Sequence, residues 1–188
     1  MSQKLAIILV LITLGGCTVS PPRNTENACH LLAEKPGWYD AVSDAADSWD
    51  VSEGLILSFI RRESSFVADA KPPRTKILWV LPGPRASSAY GYPQAKEGTW
   101  SDYRSDTNSY LAERDNFRDA ADFVGWYVDR AYRIAGIPKS DPYRHYLAYH
   151  EGVGGFQRGT FKSKRWLMGV AKRVDQKARS YDNQLASC

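Results

Sequence analysis

Ser52-Glu53-Gly54-Leu55-Ile56-Leu57-Ser58-Phe59-Ile60-Arg61-Arg62-Glu63, residues 52–63, is the stretch whose reading decides the fold. Leu55, Ile56, Phe59 and Ile60 recur at the spacing of one helix face, and Glu63 continues it. Such a face is normally buried, so the sequence predicts an apolar helix that begins near Ser52 and carries a carboxyl at its end. A carboxyl desolvated there has its pKa raised above the ~4.3 of a free glutamate, stays protonated, and can donate to a leaving oxygen. The structural alternative is that Glu63 reaches solvent or pairs with Arg61, Arg62 or a more distant base.

The pattern on either side is also helical. Upstream, Trp38, Ala41, Val42, Ala45, Ala46 and Trp49 share one face, so two consecutive helices are predicted to open the domain. Downstream, Pro72, Pro73, Pro82 and Pro84 break the pattern around an apolar island, Ile77 to Leu81, which predicts a long proline-rich loop or a small hairpin. Helical signals return over 94–103 and, more strongly, over 117–134, where Ala120, Phe123, Val124, Tyr127, Val128 and Ala131 form a stripe closed by Gly136. Asp141-Pro142 caps a helix carrying Tyr143, Tyr146, Leu147, Tyr149 and His150. A last helix over 164–181 is predicted to bury Trp166, Leu167, Val170 and Val174. The expectation is a mainly α domain over residues 29–188.

Composition narrows the function classes. The 188 residues suit one domain, and 43% hydrophobic with 24% charged residues argues against a disordered chain or a polytopic membrane protein. A net charge of +4 without a concentrated basic block gives no reason to expect nucleic acid. Six Trp, 11 Tyr and 6 Phe exceed what a core this size needs, so some rings are expected to line a cleft.

The first residues read as an address. Lys4 precedes an apolar run, Leu5 to Leu14, too short for the ~20 residues of a membrane span, and Gly15-Gly16 follow it. Leu14-Gly15-Gly16-Cys17 resembles the lipobox of bacterial lipoproteins, which implies a signal peptide over 1–16, cleavage before Cys17, and a lipid on that cysteine; an ordinary secretory peptide is the alternative. Residues 18–28 then read as a tether. In an exported chain Cys29 and Cys188 invite a disulfide between the start and end of the domain. A metal site is not expected from two cysteines and from His30, His145 and His150 at no zinc-like spacing, and no cofactor is expected.

Three motifs carry a resemblance to a known family. Ile60-Arg61-Arg62-Glu63-Ser64-Ser65-Phe66 resembles the glutamate-serine motif of soluble lytic transglycosylases, relatives of goose-type lysozyme. Ala89-Tyr90-Gly91-Tyr92-Pro93-Gln94 is similar to that family's Gly-Leu-Met-Gln motif, and Ala148-Tyr149-His150-Glu151-Gly152 to its Ala-Tyr-Asn-Ala-Gly motif. The resemblance covers about residues 38–160 and implies a lysozyme-like helical fold. It also implies cleavage of the MurNAc-GlcNAc bond of peptidoglycan, with Glu63 as the one catalytic carboxyl. Tyr149 would hydrogen-bond that carboxyl, Gln94 would bind an N-acetyl group or Glu63, and Gly91 and Ser64 would support the site. Tyr92-Pro93 and His150-Glu151 depart from the family pattern.

Chemistry is consistent with a single carboxyl. Most glycosidases use two carboxylates, so a one-carboxylate site needs another nucleophile. Peptidoglycan offers the N-acetyl group of muramic acid, and its C6 hydroxyl can close a 1,6-anhydro ring without water. Asp69, holding a water, would instead give a hydrolytic muramidase, though a turn-forming role suits it as well. The altered second and third motifs also allow a catalytically weak lipoprotein that binds glycan strands. Thr18 after Cys17 resembles the outer-membrane sorting pattern, implying an anchor facing the periplasm.

Overall fold

The computed structural model describes residues 20–77 and 81–188. The apolar run, its Gly-Gly-Cys cleavage signal and Cys17 lie outside the described residues. The architecture is mainly α: α1 (Ala28–Glu34), α2 (Trp38–Trp49), α3 (Glu53–Ser64), α4 (Glu97–Thr107), α5 (Phe117–Ala135), α6 (Pro142–Glu151), α7 (Val153–Gln157) and α8 (Arg165–Leu185). One hairpin, β1 (Arg74–Ile77) and β2 (Leu81–Arg85), interrupts them. None of the described helices is long and apolar enough to cross a membrane.

Helix α3 is the central element. Ser52 caps it by accepting from the Leu55 N–H at 3.1 Å, and Gly54 through Ile60 are buried. It packs mainly against α8, with α2 and α5 on its other sides. Gly54 permits the close approach to α8: a Cβ there would stand 2.4 Å from the Ala178 carbonyl oxygen and from Asp182 Oδ1. The Gly54 N–H instead donates to Asp182 Oδ1 at 2.8 Å. The second interface joins α2 and α5, where the Trp49 side chain covers Gly125. Asp122 ties this interface to α4 by accepting from Trp49 Nε1 and from the Tyr103 hydroxyl, each at 2.7 Å.

Several local expectations change. A short helix, α1, precedes the two that the sequence predicts to open the domain, and Asn27 caps it. The segment read as a tether lies along the fold from residue 20. Lys35 Nζ donates to the Ser20 carbonyl at 2.6 Å, Pro22 is buried, Tyr181 donates to the Thr25 carbonyl, and Glu26 pairs with Arg61 and Lys177. Cys29 and Cys188 form a disulfide with Cα atoms 6.1 Å apart. The proline-rich segment takes the hairpin alternative, antiparallel with Arg74 opposite Arg85 and an irregularity before Lys76. Trp166 is not buried as the sequence pattern predicts but 58% exposed, because it occupies the first turn of α8, one position before the face defined by Leu167, Val170 and Val174.

Candidate active site

Helix α3 stops directly after Glu63 and Ser64. Ser65 and Phe66 both adopt left-handed backbone conformations, with φ of 52° and 62°. Each costs roughly 1–2 kcal/mol for a non-glycine residue, offset here by complete burial of the Phe66 ring, 5.8 Å from that of Trp38. The abrupt end leaves the Glu63 carboxyl in the last turn of the helix, where it enters a cleft of about 310 Å³ instead of the protein core.

Burial pushes the Glu63 pKa up to about 7, against the lowering effects of a hydrogen bond from Tyr146 and of the nearby Arg62 charge. The Tyr146 hydroxyl donates to Glu63 Oε1 at 2.8 Å. Oε2 is thereby left as the oxygen to carry the acidic proton. The hydrogen bond that the resemblance assigned to Tyr149 therefore belongs to Tyr146, one turn earlier on α6. Tyr149 also lines the cleft, but its hydroxyl donates to the Pro93 carbonyl at 2.6 Å. Both rings rest edge-on against Phe59, at 5.4 and 5.3 Å, so α3 and α6 are keyed together around the carboxyl. Phe123 and Tyr127 complete the aromatic wall, with the Tyr127 hydroxyl held by the Ala148 carbonyl at 2.8 Å.

The second motif forms a tight loop closed by a bridge between Tyr90 and Ala95. Gly91, at φ 76°, passes so close under Arg114 that a Cβ would stand 2.1 Å from its carbonyl oxygen; its part in the site is backbone geometry. Gln94 lines the cleft from a left-handed conformation, φ 49°. Its Nε2 donates to the carbonyls of Ala70 and Gly91, at 2.9 and 2.8 Å, so its amide nitrogen braces the loop and does not reach Glu63. Tyr92, a departure from the family pattern, points away from the cleft and is 1% exposed among Trp38 and Phe117. Ser64 donates to the Ile60 carbonyl at 3.1 Å and supports the helix, not the carboxyl. Asp69 is exposed and is not among the residues lining the cleft.

The second carboxylate of the cleft has the opposite electrostatics. The Glu151 side chain is 4% exposed and accepts from Lys164 Nζ at 2.7 and 3.0 Å, from Thr160, and from His150 Nδ1 at 3.0 Å. The lysine and threonine hydrogen bonds hold its pKa down to about 2. Between about pH 2 and about pH 7 it is therefore ionised while Glu63 holds its proton. Of the two carboxyl groups lining the cleft, one is thus poised to give a proton and the other is a fixed anion. Sequence reasoning missed Tyr146 and the Glu151 cluster; the signal for Tyr146 was its position three residues before Tyr149 on one helix face.

No curated protein matches the chain. The Transglycosylase SLT domain family matches it over residues 5–188, nearly its whole length. With a mainly helical fold around one buried glutamate of raised pKa in an aromatic cleft, the chain belongs to the SLT transglycosylase family and is a lytic transglycosylase acting on peptidoglycan.

Proposed function

We propose that the chain cleaves the MurNAc-GlcNAc bond without water, leaving 1,6-anhydro-muramyl ends, with Glu63 as its only acid and base. The observation that supports this most is the raised pKa of Glu63, to about 7, beside a second carboxylate locked as an ion pair. In the first half of the reaction Glu63 gives its proton to the glycosidic oxygen. The bond from that oxygen to the anomeric carbon of MurNAc breaks as the N-acetyl carbonyl of the same sugar assists. Glu63 is now ionised, a state favoured by the Tyr146 hydrogen bond. It takes the proton of the C6 hydroxyl, and O6 closes on the anomeric carbon. The proton count balances and no water is consumed.

A hydrolytic muramidase of the two-carboxylate kind would need a second acid to activate water, and neither candidate is free to do so: Glu151 is bound by Lys164, and Asp69 lies outside the cleft lining. A catalytically weak glycan-binding protein has less support, since a buried, protonated glutamate is costly to maintain without a chemical role. The reading includes export, cleavage before Cys17 and lipidation of that residue, which would hold the domain at the outer membrane facing the periplasmic wall. Mass spectrometry of muropeptides released from sacculi tests the reaction class. Anhydro-muramyl products are expected; reducing muramyl ends would replace this reading with hydrolysis.

A further inference from the structure

The cleft around Glu63, about 310 Å³, lies at the small end of the ~300–1,000 Å³ typical of ligand pockets, so it encloses the reacting linkage and little more. The rest of a glycan strand must lie on the rim. On the α6–α8 side His150 lines the cleft, and Trp166, just outside that lining, packs against its imidazole with ring centroids 5.2 Å apart and ring planes at 78°. Trp166 is 58% exposed, whereas Trp38, Trp100 and Trp126 are at most 7% exposed. Its backbone is nonetheless fixed, because the next residue, Leu167, is fully buried in the α8 interface.

The imidazole is also held in place. Glu151 accepts from His150 Nδ1 at 3.0 Å and is itself clamped by Lys164 and Thr160. An ionised carboxylate only accepts, so Nδ1 carries the hydrogen, and in that tautomer Nε2, on the opposite side of the ring, is an acceptor. An indole more than half exposed to solvent, next to an oriented hydrogen-bond acceptor, matches a sugar ring. Pyranose C–H groups, weakly positive, pack on the electron-rich indole face, and a hydroxyl or acetamido N–H meets the acceptor.

We propose that Trp166 and His150 form an outer subsite that takes an N-acetylhexosamine unit beyond the two joined by the scissile bond. Glu151 is its positioning residue, acting through His150. The proposal rests on the reading of Glu63 as the cleavage centre, since it extends a strand bound there. It explains the departure of His150-Glu151 from the Asn-Ala of the family motif: the pair builds the rim instead of the reaction centre.

The test is calorimetric binding of the N-acetylglucosamine dimer and hexamer to the full chain in a Glu63→Gln background, with Trp166→Ala, Trp166→Phe and His150→Ala added singly. Trp166→Ala is expected to raise the hexamer Kd about tenfold or more and the dimer Kd less than twofold. Trp166→Phe should recover most of the loss, and His150→Ala should give a smaller loss, also confined to the hexamer. Equal losses for both lengths, an unchanged hexamer Kd in a Trp166→Ala chain with the parental Tm, or a background that binds hexamer no more tightly than dimer would each overturn the subsite. Failure of the underlying reading appears separately, as sacculus turnover that persists in Glu63→Gln without any second substitution.

Discussion

Tyr146 donates to Glu63 Oε1 at 2.8 Å, while Tyr149, three residues further along the same helix, donates to the Pro93 carbonyl at 2.6 Å. A backbone carbonyl on the Tyr90–Ala95 loop holds the Tyr149 hydroxyl, and Tyr146 is the tyrosine at the carboxyl. The two phenols then have different consequences. Tyr146→Phe removes a bond that favours ionised Glu63, so the alkaline limb of the kcat profile should move to higher pH and kcat should fall about tenfold, from a charge-assisted bond of about 1.5–3 kcal/mol partly realised in the transition state. Tyr149→Phe should leave that limb in place and lower unfolding stability by about 1 kcal/mol. A pH profile moved by Tyr149→Phe and not by Tyr146→Phe would reverse the assignment.

The Glu151 cluster makes a prediction about acid stability. Its folded pKa is depressed, to about 2 from an ordinary 4.5, so its contribution is fully present above pH 4.5 and is lost as pH falls toward 2. Lys164→Met should therefore cost about 1.5–3 kcal/mol near neutrality, and the gap from the parent should narrow below pH 4.5. Urea unfolding at pH 7 and pH 3 measures both. A gap as wide at pH 3 would place the loss elsewhere.

Much of this was legible in the sequence because apolar periodicity is a one-dimensional record of burial. The stripe from Ala120 to Ala131 is buried along its length in α5, and Leu55 to Ile60 form the core face of α3. The periodicity could not choose between Tyr146 and Tyr149, because both lie on one helix face and the choice depends on a carbonyl more than fifty residues away. Gln94 and Ser64 could be placed near the site, but not their backbone partners, Ala70, Gly91 and Ile60. Trp166 looked like a core residue because tryptophan usually is one; one step along α8, about 100°, separates it from the face of Leu167. The short elements α1 and α7 carry too few residues to show a period.

The disulfide joins residues 159 apart in sequence, fastening α1 to the end of α8. By the chain-entropy relation its loss should cost about 5 kcal/mol, less if the denatured chain is compact. Cys188→Ser should show that drop in urea unfolding, and thiol titration of the unfolded, unreduced chain should find neither Cys29 nor Cys188 free. Two free thiols would contradict the bond.

Lipidation at Cys17 is checked by phase separation. The parent should partition into detergent, and Cys17→Ala should appear in the aqueous phase or persist as uncleaved precursor. Detergent partitioning with a processed Cys17→Ala chain would contradict the anchor.

The central claim is that Glu63 works from its protonated state, and Glu63→Gln tests it most directly. The raised pKa means that the folded protein holds a proton that the unfolded chain releases, so this site lowers the parent's stability as pH rises from about 4.5 to about 7, by at most about 3 kcal/mol. A neutral glutamine cannot titrate. The variant should fold, should lose that decline and become the more stable chain above pH 7, and should release muropeptides from sacculi at least ~100-fold more slowly, as expected on losing general acid-base catalysis. Turnover and Tm measured on one Glu63→Gln preparation decide the matter. A folded variant with near-parental turnover, or one that loses stability at pH 8 as a broken ion pair would, contradicts the account.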